Sequence, residues 1–207
     1  MTQALILVDV QNDFAPGGSL AVPQGDHIVP VINRLLLHFE HVIATKDWHP
    51  VGHASFASTH GEPVGSVIDL NGMAQMMWPD HCVQHTSGAA FIPSLNRSNI
   101  EHVIFKGTQL GIDSYSGFFD NQRLQATGLE EYLREHNYTD IYIVGLATDY
   151  CVKFTALDSV SCGFNTFVIS DACRGVNIHP EDSDNALEEM KNAGCHIVTS
   201  AEVLAEK

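Results

Sequence analysis

The sequence predicts an α/β fold in three layers, a six-stranded, mainly parallel sheet with helices on both faces. Three observations lead there. Short apolar runs that read as strands alternate with segments whose apolar residues recur at helical spacing, and that alternation implies right-handed crossovers between parallel strands. Several of the strand-like runs are continuously apolar, as strands buried on both faces must be. The chain has 207 residues, 44% hydrophobic and 17% charged, which suits one globular domain over residues 1–207 with a sizeable core.

Each element has its own signal. Residues 4–10 open with Leu5-Ile6-Leu7-Val8 before Asp9 and read as a buried strand. Residues 26–40 place Ile28, Val31, Ile32, Leu35, Leu36 and Phe39 at helical spacing, with Asp26 as a cap. Residues 41–45 form a second strand. Residues 46–90 are rich in Gly, Pro, His and Trp and show little periodicity. An irregular segment of that length inside a compact domain is usually functional. Residues 102–106 read as a third strand, followed by a second irregular stretch over 107–124. A helix over 128–136 leads into a fourth strand at 140–145. A helix over 149–162, with Val152, Ala156 and Val160 on one face, precedes a fifth strand at 166–170. The last helix spans 180–193, started near Pro180 and stopped at Gly194, and residues 195–199 close as the sixth strand. There is no internal repeat and no sign of a second domain.

Composition excludes some partners. A formal net charge of -15 disfavours nucleic acids and anionic membrane surfaces. No apolar run is long enough to span a bilayer, and the N-terminal residues lack a signal-peptide pattern. The five cysteines, Cys82, Cys151, Cys162, Cys173 and Cys195, are odd in number and form no CxxC pair. A reducing, cytoplasmic setting is therefore expected rather than a disulfide framework. The oligomeric state stays open, a homo-oligomer included.

Open α/β sheets bind ligands beyond the carboxyl ends of their strands, and that rule selects the chemistry. Asp9 ends the first strand, Asp47 and His49 lie just past the second, Lys106 ends the third, and Cys151 follows the fourth after a short turn. Cys151 at a helix start, near the Lys106 ammonium, is expected to have a lowered thiol pKa and to act as a nucleophile. Backbone N–H groups there would face a developing oxyanion. Asp9 would accept the thiol proton and return it to a leaving group. Taken alone, Asp9 would serve as well for a loop cap, and the remaining cysteines for apolar packing. Asp47-Trp48-His49 presents two ligands on one side of an extended segment, and His81 within Trp78-Pro79-Asp80-His81-Cys82 offers a third. Three N/O donors with open positions describe a catalytic or substrate-binding divalent ion. His53 and His60 are further candidates, His53 the better; His85, His102, His136 and His179 read as surface residues. Phe14, Trp78 and Tyr115 would form a slot for a flat ring, or pack in the core.

Together, Asp9-Val10-Gln11-Asn12-Asp13-Phe14, Asp47-Trp48-His49, Trp78-Pro79-Asp80-His81-Cys82, Phe105-Lys106-Gly107 and Gly145-Leu146-Ala147-Thr148-Asp149-Tyr150-Cys151 resemble the nicotinamidase (pyrazinamidase) branch of the isochorismatase-like cysteine hydrolases, in register from about residue 4 to about residue 200. The resemblance implies an isochorismatase-like fold and hydrolysis of nicotinamide to nicotinate and ammonia in NAD salvage, with pyrazinamide as a further substrate. It implies the triad Asp9, Lys106 and Cys151, and an oxyanion hole at the Ala147 and Cys151 N–H groups after a cis Leu146–Ala147 bond. It also implies metal ligands Asp47, His49 and His81 and ring contacts from Phe14, Trp78 and Tyr115. The implied metal is zinc, with iron or manganese in some members; it holds the substrate's pyridine nitrogen, and His53 occupies the place of a further histidine found in some members. Tyr150 stands where some members have histidine, a variation in the substrate pocket. Three rivals differ in observable ways. Amidases acting on carbamoyl or ureido groups share the triad but lack the metal set. Isochorismatases lack the nucleophilic cysteine. A non-enzymatic metal-binding protein would have no use for an acid–base–nucleophile set.

Overall fold

The computed structural model describes residues 2–205; Met1, Glu206 and Lys207, the ends of the expected domain, lie outside the described residues. The elements run β1 (Thr2–Val8), α1 (Val29–Leu35), β2 (Val42–Asp47), α2 (Ala57–His60), β3 (Val67–Leu70), β4 (Met73–Met76), β5 (Ile100–Lys106), α3 (Leu129–Glu135), β6 (Tyr138–Leu146), α4 (Lys153–Ser161), β7 (Asn165–Arg174), α5 (Asp182–Asn192), β8 (His196–Val198) and α6 (Ser200–Ala205).

Six strands form one sheet in the order β5-β2-β1-β6-β7-β8, and every neighbouring pair is parallel. The strand-by-strand alternation of side chains divides the core in two. From β1, Leu5 and Leu7 point to a cluster completed by Ile28, Ile32 and Leu35 around α1 and by Val203 of α6. Ala4, Ile6 and Val8 point the other way, to Leu129 and Leu133 of α3, Ala156 of α4 and Met190 of α5. These are the three layers that the alternation predicts. Among the described residues no helix is long and apolar enough to cross a membrane.

The strand order makes two excursions in opposite directions from the centre. β1 leads outward to β2 and β5, and the chain then returns beside β1 as β6. The switch point between β1 and β6 is where an open sheet leaves a crevice at its carboxyl edge. Glycine permits the close approach there: Gly145 has φ 125°, and a Cβ on it would lie 2.0 Å from the Val8 carbonyl oxygen.

Several expected elements differ in detail. The helix expected over 26–40 is a 3-10 turn at Gly25–Ile28 followed by a short α1, and Asp26 makes no side-chain cap. The irregular segment 46–90 contains α2 and an antiparallel hairpin, β3–β4. Its turn, Asn71-Gly72, has both residues at positive φ, the backbone that an Asn-Gly hairpin turn requires. The helix expected from Asp149 begins as a π-helical turn, Thr148–Val152, and becomes regular only at Lys153.

Candidate active site

The carboxyl edge of the sheet gathers six of the residues selected from the sequence. β1 delivers Asp9, β2 Asp47, β5 Lys106 and β6 the turn with Cys151. His49 and His81 arrive from the segment that follows β2. All six are buried. Asp9, Asp47 and Cys151 bring one ligand-type atom each to within 4.8 Å of one another, as do Asp47, His49 and His81.

Lys106 joins the two groups. Its Nζ lies 2.8 Å from Asp9 Oδ2 and donates to Asp47 Oδ1. It also donates to the Ser114 carbonyl at 2.9 Å and to Cys151 Sγ at 3.3 Å. Asp9 Oδ1 accepts from Thr45 Oγ1 at 2.6 Å. Asp9 Oδ2, close to Nζ yet without a directed hydrogen bond, keeps a lone pair for a proton.

The charges follow from burial and from these pairs. Burial works to lower Lys106, but the Asp47 and Asp9 carboxylates hold it well above the usual amine range. Burial works to raise Asp47, but the Lys106 ammonium and His49 hold it well below the usual carboxylate range. Burial outweighs Lys106 at Asp9, whose carboxyl is raised. The thiol corrects an expectation: burial, with Asp9 and Asp47 beside it, outweighs Lys106 and pushes Cys151 well above the usual thiol range. Burial thus favours the neutral thiol at Cys151 over a standing thiolate, and the residue sits in the π-helical turn rather than at the start of α4.

The donors Asp47, His49 and His81 fit a cation. His49 Nδ1 donates to the Gly107 carbonyl at 2.9 Å, and His81 Nδ1 to the Pro79 carbonyl at 2.8 Å. Both rings are thereby oriented with Nε2 toward Asp47, 3.6 and 3.7 Å from its Oδ2. His49 Nε2 is buried without a hydrogen-bond partner, which is costly unless another electrophile meets it. Such ring orientation by carbonyls is the usual support of a metal site. Gly107 is needed for it, since a Cβ there would lie 2.3 Å from His49 Cε1.

The His53 ring packs at a tilt against His49, with ring centroids 4.3 Å apart, but both its nitrogens are engaged: Nδ1 with Ser55 Oγ at 2.8 Å and Nε2 with the Ile112 carbonyl at 3.2 Å. Burial, then the neighbouring His49, lowers its pKa to about 4. It buttresses His49. His60 is exposed and bonds the Ala54 carbonyl. His85, His136 and His179 are exposed and His102 half-buried.

Phe14, Trp78 and Tyr115 line one cavity with Asp47, His81, Ala147 and Cys151. The Leu146–Ala147 peptide is cis, and Ala147 faces the cavity next to Cys151. The residues selected from the sequence and the family's implied set therefore meet in one place. A match to the model of the isochorismatase domain runs over residues 3–202. The chain belongs to the isochorismatase family. Among its relatives, the nicotinamidase of Escherichia coli K12 is 50% identical over 204 residues, covering 97% of this chain and 96% of the relative. An Acinetobacter baumannii nicotinamidase/pyrazinamidase structure superposes with a TM-score of 0.95 at 44% identity, over 98% of each chain. PnC1 from L. infantum in complex with nicotinate superposes with a TM-score of 0.85 at 35% identity, over 97% of this chain and 93% of that one. Pyrazinamidase of Pyrococcus horikoshii in complex with zinc gives 0.79 at 40% identity, over 96% of this chain and 99% of that one.

Some residues of this family site escaped the sequence reading. Gln11 clamps the Asp47 backbone on both sides, donating to its carbonyl at 2.8 Å and accepting its N–H at 2.9 Å. Asp13 accepts the Cys82 N–H at 2.7 Å, steadying the segment after His81. Both lie inside the quoted Asp9–Phe14 motif, which was their available signal. Thr45, Asp113, Leu20 and Val176 carry no sequence signal that separates them from ordinary strand or loop residues.

Proposed function

We propose that the protein is a nicotinamidase, a cysteine amidohydrolase that converts nicotinamide and water to nicotinate and ammonia in the cytoplasm and also accepts pyrazinamide. The observation that carries this reading is Lys106: one buried ammonium shared by the Cys151–Asp9 pair and by Asp47 of the metal-type set. It couples a nucleophile to a ring-binding position within one cavity.

Asp47, His49 and His81 would hold a divalent ion, zinc in the first instance and iron or manganese as alternatives. Such an ion supplies open coordination positions for a pyridine nitrogen. Phe14, Trp78 and Tyr115 sandwich and edge the ring. Asp9 takes the Cys151 proton as the sulfur attacks the carboxamide carbon, so negative charge appears on sulfur only as the C–S bond forms. The Ala147 and Cys151 N–H groups receive the oxyanion. Asp9 passes its proton to the departing amine, which leaves as ammonia, and an acyl thioester remains. Asp9 then deprotonates water for attack on that thioester, nicotinate leaves, and the sulfur recovers its proton. Lys106 stays an ammonium throughout, offsetting the charge on Asp9, Asp47 and sulfur.

The reading is tested by ammonia release from nicotinamide before chelation, after chelation, and after adding back zinc, iron or manganese singly. Release that falls on chelation and returns with a divalent ion supports it. Undiminished release from metal-free protein argues for an amidase without a metal-held ring.

A further inference from the structure

The free space inside the active-site cavity is about 20 Å³, room for about one water, whereas an engineered cavity that admits benzene is ~150 Å³. An aromatic carboxamide enters only if a wall moves. Beyond one wall lies a groove of about 420 Å³ between the β3–β4 hairpin, α4 and the approach to α5. Among the described residues, only Tyr115 and Tyr150 line both spaces.

The two tyrosines are held differently. The Tyr115 hydroxyl accepts from Trp78 Nε1 at 3.0 Å and from Gln75 Nε2 at 3.1 Å. The Tyr115 N–H donates to Asn121 Oδ1 at 2.9 Å. Tyr150 meets Trp78 and Tyr115 only edge to face, at centroid distances of 4.9 and 5.5 Å. Among the described residues its hydroxyl has no hydrogen-bond partner, and the side chain is partly exposed. The Tyr115 side chain is held by hydrogen bonds, whereas that of Tyr150 is held by packing alone.

We propose that Tyr150 is the movable partition between the two spaces and determines which aromatic carboxamides the site accepts, a substituent passing over it into the groove. This rests on the amidase reading above. The groove side of the partition offers Met76, Phe154 and Ile178 beside Lys153, Asp182 and Glu189, with the larger share of its surface apolar, so the favoured substituent is apolar. With Tyr150 in its present place the cavity is too small for an aromatic ring; with the tyrosine ring removed the two spaces join.

The test compares kcat/KM for nicotinamide with kcat/KM for nicotinamides bearing ethyl or phenyl at ring carbon 5, at ring carbon 6 or on the amide nitrogen, in wild type, Y150F and Y150A. One apolar group in a fitting pocket shifts such ratios by about 10–200-fold. Y150A is expected to move the substituted-to-unsubstituted ratio by at least about tenfold for one of the series, chiefly through KM, and Y150F to keep the wild-type ratio. The series that responds tells whether the ring or the leaving amine faces the groove. An unchanged ratio in Y150A overturns the partition, as does a Y150F ratio that shifts like that of Y150A. If Y150A does not fold, Y150L is read by the same ratio. Wild type that fails to turn over nicotinamide removes the amidase reading and the partition with it; wild-type turnover with an unmoved ratio removes the partition alone.

Discussion

Lys106 is the residue on which the site turns. Its ammonium lies between two buried carboxylates and a thiol, so K106M leaves Asp9 and Asp47 facing each other uncompensated. Breaking a buried pair in this way typically costs ~3–5 kcal/mol. K106M is expected to lose that order of stability in urea unfolding and to lose ammonia release; a stable, active K106M contradicts the shared-ammonium account. His53 makes a separate prediction. Its folded pKa of about 4 lies below the 6.5 of an unperturbed histidine, so the unfolded chain takes up a proton first as pH falls. Stability is therefore full above about 6.5, falls between 6.5 and 4 by about 3 kcal/mol from this residue, and is then level. H53Q is expected to flatten that slope in urea unfolding series while keeping bound metal, because neither His53 nitrogen is free; loss of the metal would mean that binding needs His53, as a ligand or through its packing on His49. Asp9, Lys106 and Cys151 were legible in the sequence because each lies at or shortly beyond the carboxyl end of a strand. The direction of the Cys151 shift was not, since the degree of burial around a thiol is a property of the packed molecule.

At the scale of elements, the turns set the chemistry. The Gly107 turn after β5 gives His49 its carbonyl partner and leaves no room for a Cβ. G107A, at φ +63° and against the His49 ring, is expected to weaken metal binding by about 10–100-fold, the usual effect of disturbing a ligand's support. Metal titration checks this; unchanged affinity would mean that the His49 ring is not fixed through Gly107. The strand periodicities were readable because buried parallel strands are continuously apolar. α1 was overextended because apolar spacing continues through Leu36 and Phe39 after the helix has ended at Leu35. The β3–β4 hairpin was passed over although Asn71-Gly72 marked it, since its four-residue strands alternate too briefly to stand out in a Gly- and His-rich stretch.

At the scale of the molecule, two cores on opposite faces of one sheet hold a rigid carboxyl edge, and the site occupies its switch point. The layered, parallel architecture was foreseeable from alternation, and the placing of the site from the strand-end rule; the strand order, the close Gly145–Val8 approach and the adjoining groove arise from packing that the alternation of apolar runs does not encode. Ile32, fully buried between α1 and the sheet, lies away from the site, so I32A is expected to lower stability by ~2–5 kcal/mol and leave kcat/KM near wild type below its unfolding temperature. A divalent ion that binds the folded chain at 100 times its Kd adds ~2.7 kcal/mol, so Tm is expected to rise on adding the ion to wild type and not to H49A.

In the proposed mechanism Cys151 carries out amide hydrolysis with Asp9 as its proton carrier. Ammonia release from nicotinamide by metal-loaded wild type and C151A measures this directly. Steady release is expected from wild type and none above background from a folded, metal-binding C151A. Release by C151A at the wild-type rate would contradict it.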